Sequence, residues 1–554
     1  MGRGRGRARA GRVVSAWVAL AAAAAAVAGV AGVRGEGCGG LGKRRCLRSE
    51  ACVWAGKRGF LERGAPAPCF PAEGLCEGLQ RKKRCKRRPE CVWTGKGRGW
   101  RGGTCAPEGA PSPPPGPAPA PSRFVTVQGG YFRPPSAGGG GDGGGAQMRF
   151  AGTNAYQVPE LFARGDWEGA EGILSEVERL GMNVVRYFIS SEVGQDGHLW
   201  RVRPGDGAVE LRENAVAGLD RAVRRAADRN LKVIMVLENS WNLLEADGGS
   251  SGADAFIQAS ALRPGGPGPA WVKQDFYRNG VVMDLYQEYV KLVVQRYWEE
   301  PAVMSWELLN EARCEDCPDT VLKGWVDSMA AFIKRLDGNH LVTTGIEGFY
   351  SAQGNPGRAD AVNPGGWAGQ LGQDFVALHS SPDVDFAVVH LWSDNWGIPV
   401  EERLNFVKRW VESHTIDART LGKPLLLEEF GLNLVEPPRD VLRRDAFFAE
   451  VYAVVQRVAA KADSALQGSL FWALYQDPDD RCGSQCDGYG VEVSDRSTLA
   501  VVALHIRDWL SPYNPPAAAK RPAAGASAPS RIAAARRMSD DIRQRLQQLY
   551  GDYP

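Results

Sequence analysis

Beyond the N-terminus, no segment of the 554-residue chain approaches the ~18 continuous apolar residues that a spanning helix needs. This excludes a multi-span membrane protein. No glycine-rich phosphate-binding turn follows an early apolar run, which removes the usual mark of a doubly wound nucleotide fold. Eight of the twelve cysteines crowd into residues 38–105, yet that stretch lacks the paired C-x-x-C knuckles of a zinc module. No nucleic-acid recognition motif accompanies its basic charge, so no nucleic-acid partner is expected.

What is present divides the chain sharply. Residues 38–105 carry 17 Lys and Arg against 5 Asp and Glu, whereas everything after residue 105 sums to about −14, so a net charge of +3 hides a basic module joined to an acidic body. Residues 1–35 place five arginines before an Ala-rich apolar run, Val13 to Val33, and read as a secretory signal peptide. The run is longer than an ordinary signal core, so the alternative is an uncleaved signal anchor of a type II membrane protein, the only membrane contact expected. Twelve cysteines behind such a leader point to an oxidising, extracellular destination.

Residues 36–105 are a tandem repeat, CGGLGKRRCLRSEACVWAGKRG and then CEGLQRKKRCKRRPECVWTGKGRG, with CVW in register at Trp54 and Trp93. Units of about 30 residues bury too little apolar surface to fold unaided, so a small disulfide-rich module is expected, two bridges per unit. Its tryptophans and basic residues either form a surface for an acidic polysaccharide or cover the bridges and keep the module soluble. A Pro-rich linker follows at 106–122, and a low-complexity tail closes the chain at 515–554. The glycine run 138–145 reads as a surface loop.

In residues 123–514, short apolar runs recur at 148–154, 183–188, 232–238, 302–310, 340–345, 385–390, 424–429 and 468–474, separated mostly by helix-period stretches such as LRENAVAGLDRAVRRAADRN. Strand then helix, about eight times over, predicts an α/β fold of the TIM barrel type, a (β/α)8 catalytic domain whose strands are apolar on both faces. Reactive residues of such a barrel gather at the C-terminal strand ends. There MSWELLNEARCEDC delivers Glu311 at the tip of the fourth strand and LLLEEFG delivers Glu428 and Glu429 at the seventh. Two carboxylates facing each other across a barrel mouth are what glycosidic cleavage requires, one to protonate the leaving oxygen and one to attack or to activate water.

The motifs FAGTNAY, WELLNEARC, GIEGFY, HLWSDNW, EFG and LFWAL, in that order over roughly 149–510, make the body resemble the endo-β-1,4-mannanases of glycoside hydrolase family 5. The resemblance implies a retaining enzyme in which Glu311 is the acid/base and Glu429 the nucleophile, with Glu428 in support. It further implies that Asn310 touches the 2-hydroxyl of the reacting sugar, that Arg186 keeps the nucleophile ionised, that His390 belongs to the active-site strand, and that Trp472 is the platform under the sugar. Trp241 and Arg313 resemble cleft residues that meet more distant sugars. The chain departs from the family pattern at Ala312, where a proline is frequent, at Trp392, where a tyrosine contacts the nucleophile, and at Gln157. Cys314 and Cys317, and likewise Cys482 and Cys486, read as loop-fixing disulfides.

The expected substrate is therefore a β-mannan polysaccharide, mannan, glucomannan or galactomannan, cut internally with no metal or organic cofactor. A related β-glucanase or cellulase, or a mannan transglycosylase, would use the same glutamates. From another class, the alternative is a non-catalytic polysaccharide-binding wall protein.

Overall fold

The computed structural model describes residues 123–511 apart from 136–146, 190–198, 204–206, 243–249, 262, 435–440 and 477–487, together with four short strands nearer the N-terminus. The leader, the repeat disulfides, the linker, the glycine run, the Cys482–Cys486 pair and the tail lie outside the described residues. The chain divides into two units, Met1–Ala118 and Pro119–Pro554.

In the first unit the two repeats share one backbone pattern. Cys52–Trp54 pairs antiparallel with Cys69–Pro71, setting Trp54 opposite Cys69, and Cys91–Thr94 pairs with Thr104–Pro107, setting Trp93 opposite Cys105. In both copies the equivalent tryptophan is thus the backbone register partner of the fourth cysteine.

The second unit is a barrel. Each of the eight apolar runs overlaps one barrel strand, with β6 and β7 ending one residue later and β8 starting two residues earlier than the run: β1 Phe150–Asn154, β2 Val184–Phe188, β3 Lys232–Val236, β4 Val303–Glu307, β5 Leu341–Thr343, β6 Ala387–Leu391, β7 Leu425–Phe430 and β8 Leu466–Phe471. The strands of this sheet pair in parallel, in the order β5-β4-β3-β2-β1-β8-β7-β6. The β5–β6 seam is stitched by Asp385 N–H to Val342 O at 2.8 Å, Val342 N–H to Asp385 Oδ2 at 2.7 Å and Thr343 Oγ1 to Phe386 O at 3.1 Å. Helices cover the outside, among them Glu213–Asp228, Gly280–Tyr297, Asp319–Leu336, Arg403–Leu421 and Val441–Ala459, so every strand is buried on both faces.

The lumen is layered by chemistry. Its lower part is apolar, built from Phe150, Val184, Ile234, Met304, Val388, Leu426 and Leu470. The hairpin Thr126–Gln128/Tyr131–Arg133 plugs that end, with Phe132 edge-on to Phe150 at 5.1 Å and to Phe386 at 5.3 Å. The upper part is polar and charged.

Two bulges decide which residues reach the polar layer. Between β3 and β4 the register steps from Val233 opposite Val303 to Ile234 opposite Ser305, so Met304 is an extra residue in β4. Between β6 and β7 it steps from Val389 opposite Leu427 to His390 opposite Glu429, so Glu428 is extra in β7. Strict alternation would send Glu428 and Glu429 to opposite faces. The bulge instead aims both carboxylates inward, while Phe430 turns outward onto Phe448 and Tyr452.

Candidate active site

Glu311 lies four residues past the regular end of β4, on a segment clamped from both sides. Asn310 makes an isolated bridge to Asn239 beyond β3, and the Glu311 N–H donates to Gly345 O at 2.7 Å. Glu311 itself is left-handed at φ 49°, a conformation costly for a residue with a Cβ and held by those contacts. Gly345 has no such freedom to lose: at φ 79°, a Cβ there would lie 2.3 Å from Glu307 Oε1 and 2.5 Å from Leu309 O.

The chain that follows is fixed as well. Cys314 and Cys317 form a disulfide, Cys314 N–H donates to Leu371 O at 2.9 Å, and Gln373 Nε2 donates to Ala312 O at 2.9 Å. These contacts hold the turn in which Ala312 stands where a proline is frequent.

Arg186 on β2 is fully buried at the centre of the polar layer. Its Nε donates to Glu307 Oε2 at 2.8 Å, Nη1 to Asn154 Oδ1 at 2.9 Å and Nη2 to Asn310 Oδ1 at 2.7 Å, and it pairs with Glu429 through Nη1. Glu428 stands farther off, 3.7 Å from Nε. One guanidinium thus faces three buried carboxylates. Glu307, which the sequence reading did not single out, is the one it grips through two nitrogens. The available signal was a charged residue inside the apolar run VMSWE.

His390 bridges the two predicted reacting groups. Its Nδ1 is 2.8 Å from Glu311 Oε1 and 3.4 Å from Glu429 Oε2. Glu311 Oε2 accepts the indole N–H of Trp241 at 2.7 Å. Trp241, expected to meet distant sugars, is therefore bonded to the candidate acid/base itself. Its ring also carries the Arg313 guanidinium at 4.7 Å, and Arg313 Nε donates to Glu347 Oε1 at 2.6 Å. Glu347 is a second buried acid that the sequence reading did not name.

On the other wall, Trp472 stacks on Tyr156 with ring centroids 5.1 Å apart and stands edge-on to Trp392 at 6.2 Å. Trp392 packs edge-on against Tyr489 at 4.7 Å, so this departure from the tyrosine pattern adds aromatic wall. Gln157, the third departure, donates to Leu474 O at 2.7 Å.

Proton affinities follow from this crowding. Burial works to raise Glu311, but the hydrogen bond and charge of His390, with Arg313 and Trp241, outweigh it and hold the carboxyl at about 2. Burial pushes Glu429 up to about 7 against the charges of His390 and Arg186. His390 is raised well above its ordinary value, its desolvation overcome by the surrounding glutamates. This order is the reverse of the roles the resemblance implies, and Glu311 acts as an acid only when a proton reaches it from His390. The proton sits on the imidazole; moved along the 2.8 Å contact to Glu311 Oε1, it gives a neutral acid beside an uncharged His390.

The ligand-capable atoms of Glu311, His390 and Glu429 all lie within 4.8 Å of one another, compact enough to close on a divalent cation. Arg186 already pairs with Glu429, and the charge of Arg313 already bears on Glu311. Positive charge is thus supplied by side chains, and no metal is assigned.

A family model described as glycoside hydrolase family 5 beta-mannosidase-like matches residues 144–477. Mannan endo-1,4-beta-mannosidase 1 of Oryza sativa subsp. japonica is 34% identical over 370 residues, 64% of this chain and 81% of the relative. The putative mannan endo-1,4-beta-mannosidase 4 of Arabidopsis thaliana is 35% identical over 327 residues, 56% of this chain and 76% of the relative. Among solved structures, the endo-beta-1,4-mannanase from Thermotoga petrophila superposes with a TM-score of 0.55 at 26% identity, covering 67% of this chain and 79% of that one. The endo-1,4-beta-mannanase from Rhizomucor miehei, at 24% identity and the same TM-score, shares the fold.

Proposed function

Because the chain belongs to the glycoside hydrolase family 5 beta-mannosidase-like family, we propose that it hydrolyses internal β-1,4-mannosidic bonds of mannan, glucomannan or galactomannan by double displacement. The observation that carries the mechanism is the closeness of Glu311 and Glu429, each of which brings one carboxylate oxygen into a cluster with His390 whose atoms lie within 4.8 Å of one another. Carboxyl groups about 5–5.5 Å apart suit direct attack on the anomeric carbon, whereas a gap of about 6.5–9.5 Å is needed to seat a water.

In the first step the Glu429 carboxylate attacks the anomeric carbon from one face. The bond to the leaving oxygen breaks, and Glu311 supplies that oxygen with a proton. In the second step Glu311 takes a proton from water, which displaces Glu429 and restores the original configuration. The guanidinium of Arg186 favours the ionised nucleophile, and the Asn310 amide, oriented by Arg186 and Asn239, is available to the 2-hydroxyl where charge builds. Trp472 offers an aromatic face to the pyranose ring.

Stereochemistry and chemical rescue test the assignment together. NMR of a manno-oligosaccharide digest should show retained anomers first. Glu429→Ala should be inactive but folded, and azide should restore turnover to a product of inverted configuration. Inverted sugar from the unaltered enzyme would overturn double displacement, and release of ends from a glucan but from no mannan would overturn the substrate. We also propose secretion, supported by the arginine-then-apolar leader and the twelve cysteines; N-terminal sequencing of exported protein is the check.

A further inference from the structure

We propose that Glu428 is a positioning residue that keeps His390 loaded with the proton that Glu311 delivers. The proposal rests on the glycosidase reading above and gives a defined role to a residue that reading left only in support. The bulge in β7 turns Glu428 inward beside Glu429, fully buried. Both of its carboxylate oxygens lack a hydrogen bond, and so does His390 Nε2, which lies 3.8 Å from Glu428 Oε2. A buried acceptor and a buried ring nitrogen, each unsatisfied and facing the other, are costly features unless their charges matter to one another.

Among the remaining neighbours only Arg186 also offers Glu428 a positive charge. Arg186, 3.7 Å away at Nε, is already committed to Glu307, Glu429, Asn154 and Asn310. Glu307 and Glu429 bring further negative charge, and the Asn154 amide takes the main-chain oxygen of Glu428 rather than its carboxylate. Glu311 lies on the far side of the imidazole, at Nδ1.

A carboxylate at Nε2 raises the proton affinity of His390 and Glu311 as a pair, wherever between them the proton rests. As the glycosidic bond breaks and its electron pair moves to the leaving oxygen, the Nδ1 proton crosses to Glu311, which passes it to that oxygen and is left ionised. His390 is left neutral, with its remaining proton on Nε2 toward Glu428. The proton that Glu311 later takes from the attacking water reloads the imidazole, so the protons balance over one turnover.

The test is Glu428→Gln, which keeps shape and removes charge. The alkaline limb of kcat/KM on a manno-oligosaccharide should move to lower pH by about one unit or more, an approximately tenfold loss at a fixed pH on that limb. The 15N titration of the His390 ring, one of six histidines, should move the same way. Glu428→Asp, whose carboxylate is withdrawn by about 1.5 Å, should give a smaller shift, and serves if the Gln variant does not fold. A uniformly lower kcat with limb and ring titration unmoved would reduce Glu428 to packing and overturn the proposal. Failure of the unaltered enzyme to cut mannan would count against the function instead, and the ring titration would then decide this proposal alone.

Discussion

Replacing Arg186 by Met probes the charge balance on which the site depends. The substitution keeps bulk but strips the counter-charge from Glu307, Glu428 and Glu429, all buried and all within 3.7 Å of the guanidinium. Removing one partner of a buried pair costs about 3–5 kcal/mol, against a total stability of roughly 5–15 kcal/mol. The carboxyls can escape by taking protons, which costs about 3–4 kcal/mol each at pH 7 for a group of ordinary affinity. Burial already raises Glu307 and Glu429 to about 7 in the native protein, so below about pH 6 both forms hold these protons and the penalty shrinks to lost hydrogen bonds. A folded-state value raised above the unfolded one contributes stability that is present at low pH and lost as pH rises. Above pH 7 the native protein releases these protons while the variant must keep them. The penalty should therefore grow by about 1.4 kcal/mol per pH unit for each carboxyl involved, or about 2 kcal/mol each between pH 7 and 8.5. Denaturant unfolding of both proteins at pH 5.5, 7 and 8.5 measures it. A difference flat in pH, or larger at pH 5.5, would refute the reasoning.

Trp241→Phe removes the indole N–H from Glu311 Oε2 but retains a ring beneath Arg313. With a donor to the ionised form gone, the alkaline limb of kcat/KM should rise by up to about one pH unit, opposite to the Glu428→Gln shift; a limb that falls or stays in place counts against that hydrogen bond. Phe132→Ala opens a cavity at the far end of the lumen and should cost about 3–5 kcal/mol in thermal or denaturant unfolding, with kcat per folded molecule unchanged. A comparable loss of kcat would mean that the plug also governs the site.

Much of the barrel is written locally. Strands buried on both faces must be apolar throughout, and each of the eight runs from MRFAGTN to GSLFWAL overlaps one, with ends off by a residue or two. Glu311 and the pair Glu428 and Glu429 could be singled out because carboxylates at the ends of such runs are expensive unless they bind or react, and the choice of Glu429 within the pair came from the family resemblance. Glu307 and Glu347 were harder to interpret, since a charge near an apolar strand announces that a partner exists without naming it. Their partners, Arg186 and Arg313, lie 121 and 34 residues away.

The amino-acid order by itself thus determined the strand-helix alternation and the reactive residue types, since both follow from periodicity and side-chain chemistry. Only the tertiary structure decided which of two adjacent glutamates meets Arg186 closely and that both face inward, because one residue more in β7 than in β6 opposite it resets the alternation. It also decided where the proton sits, because proton affinity depends on distances among Glu311, His390, Glu428 and Glu429 that exist only once the sheet curls into a barrel.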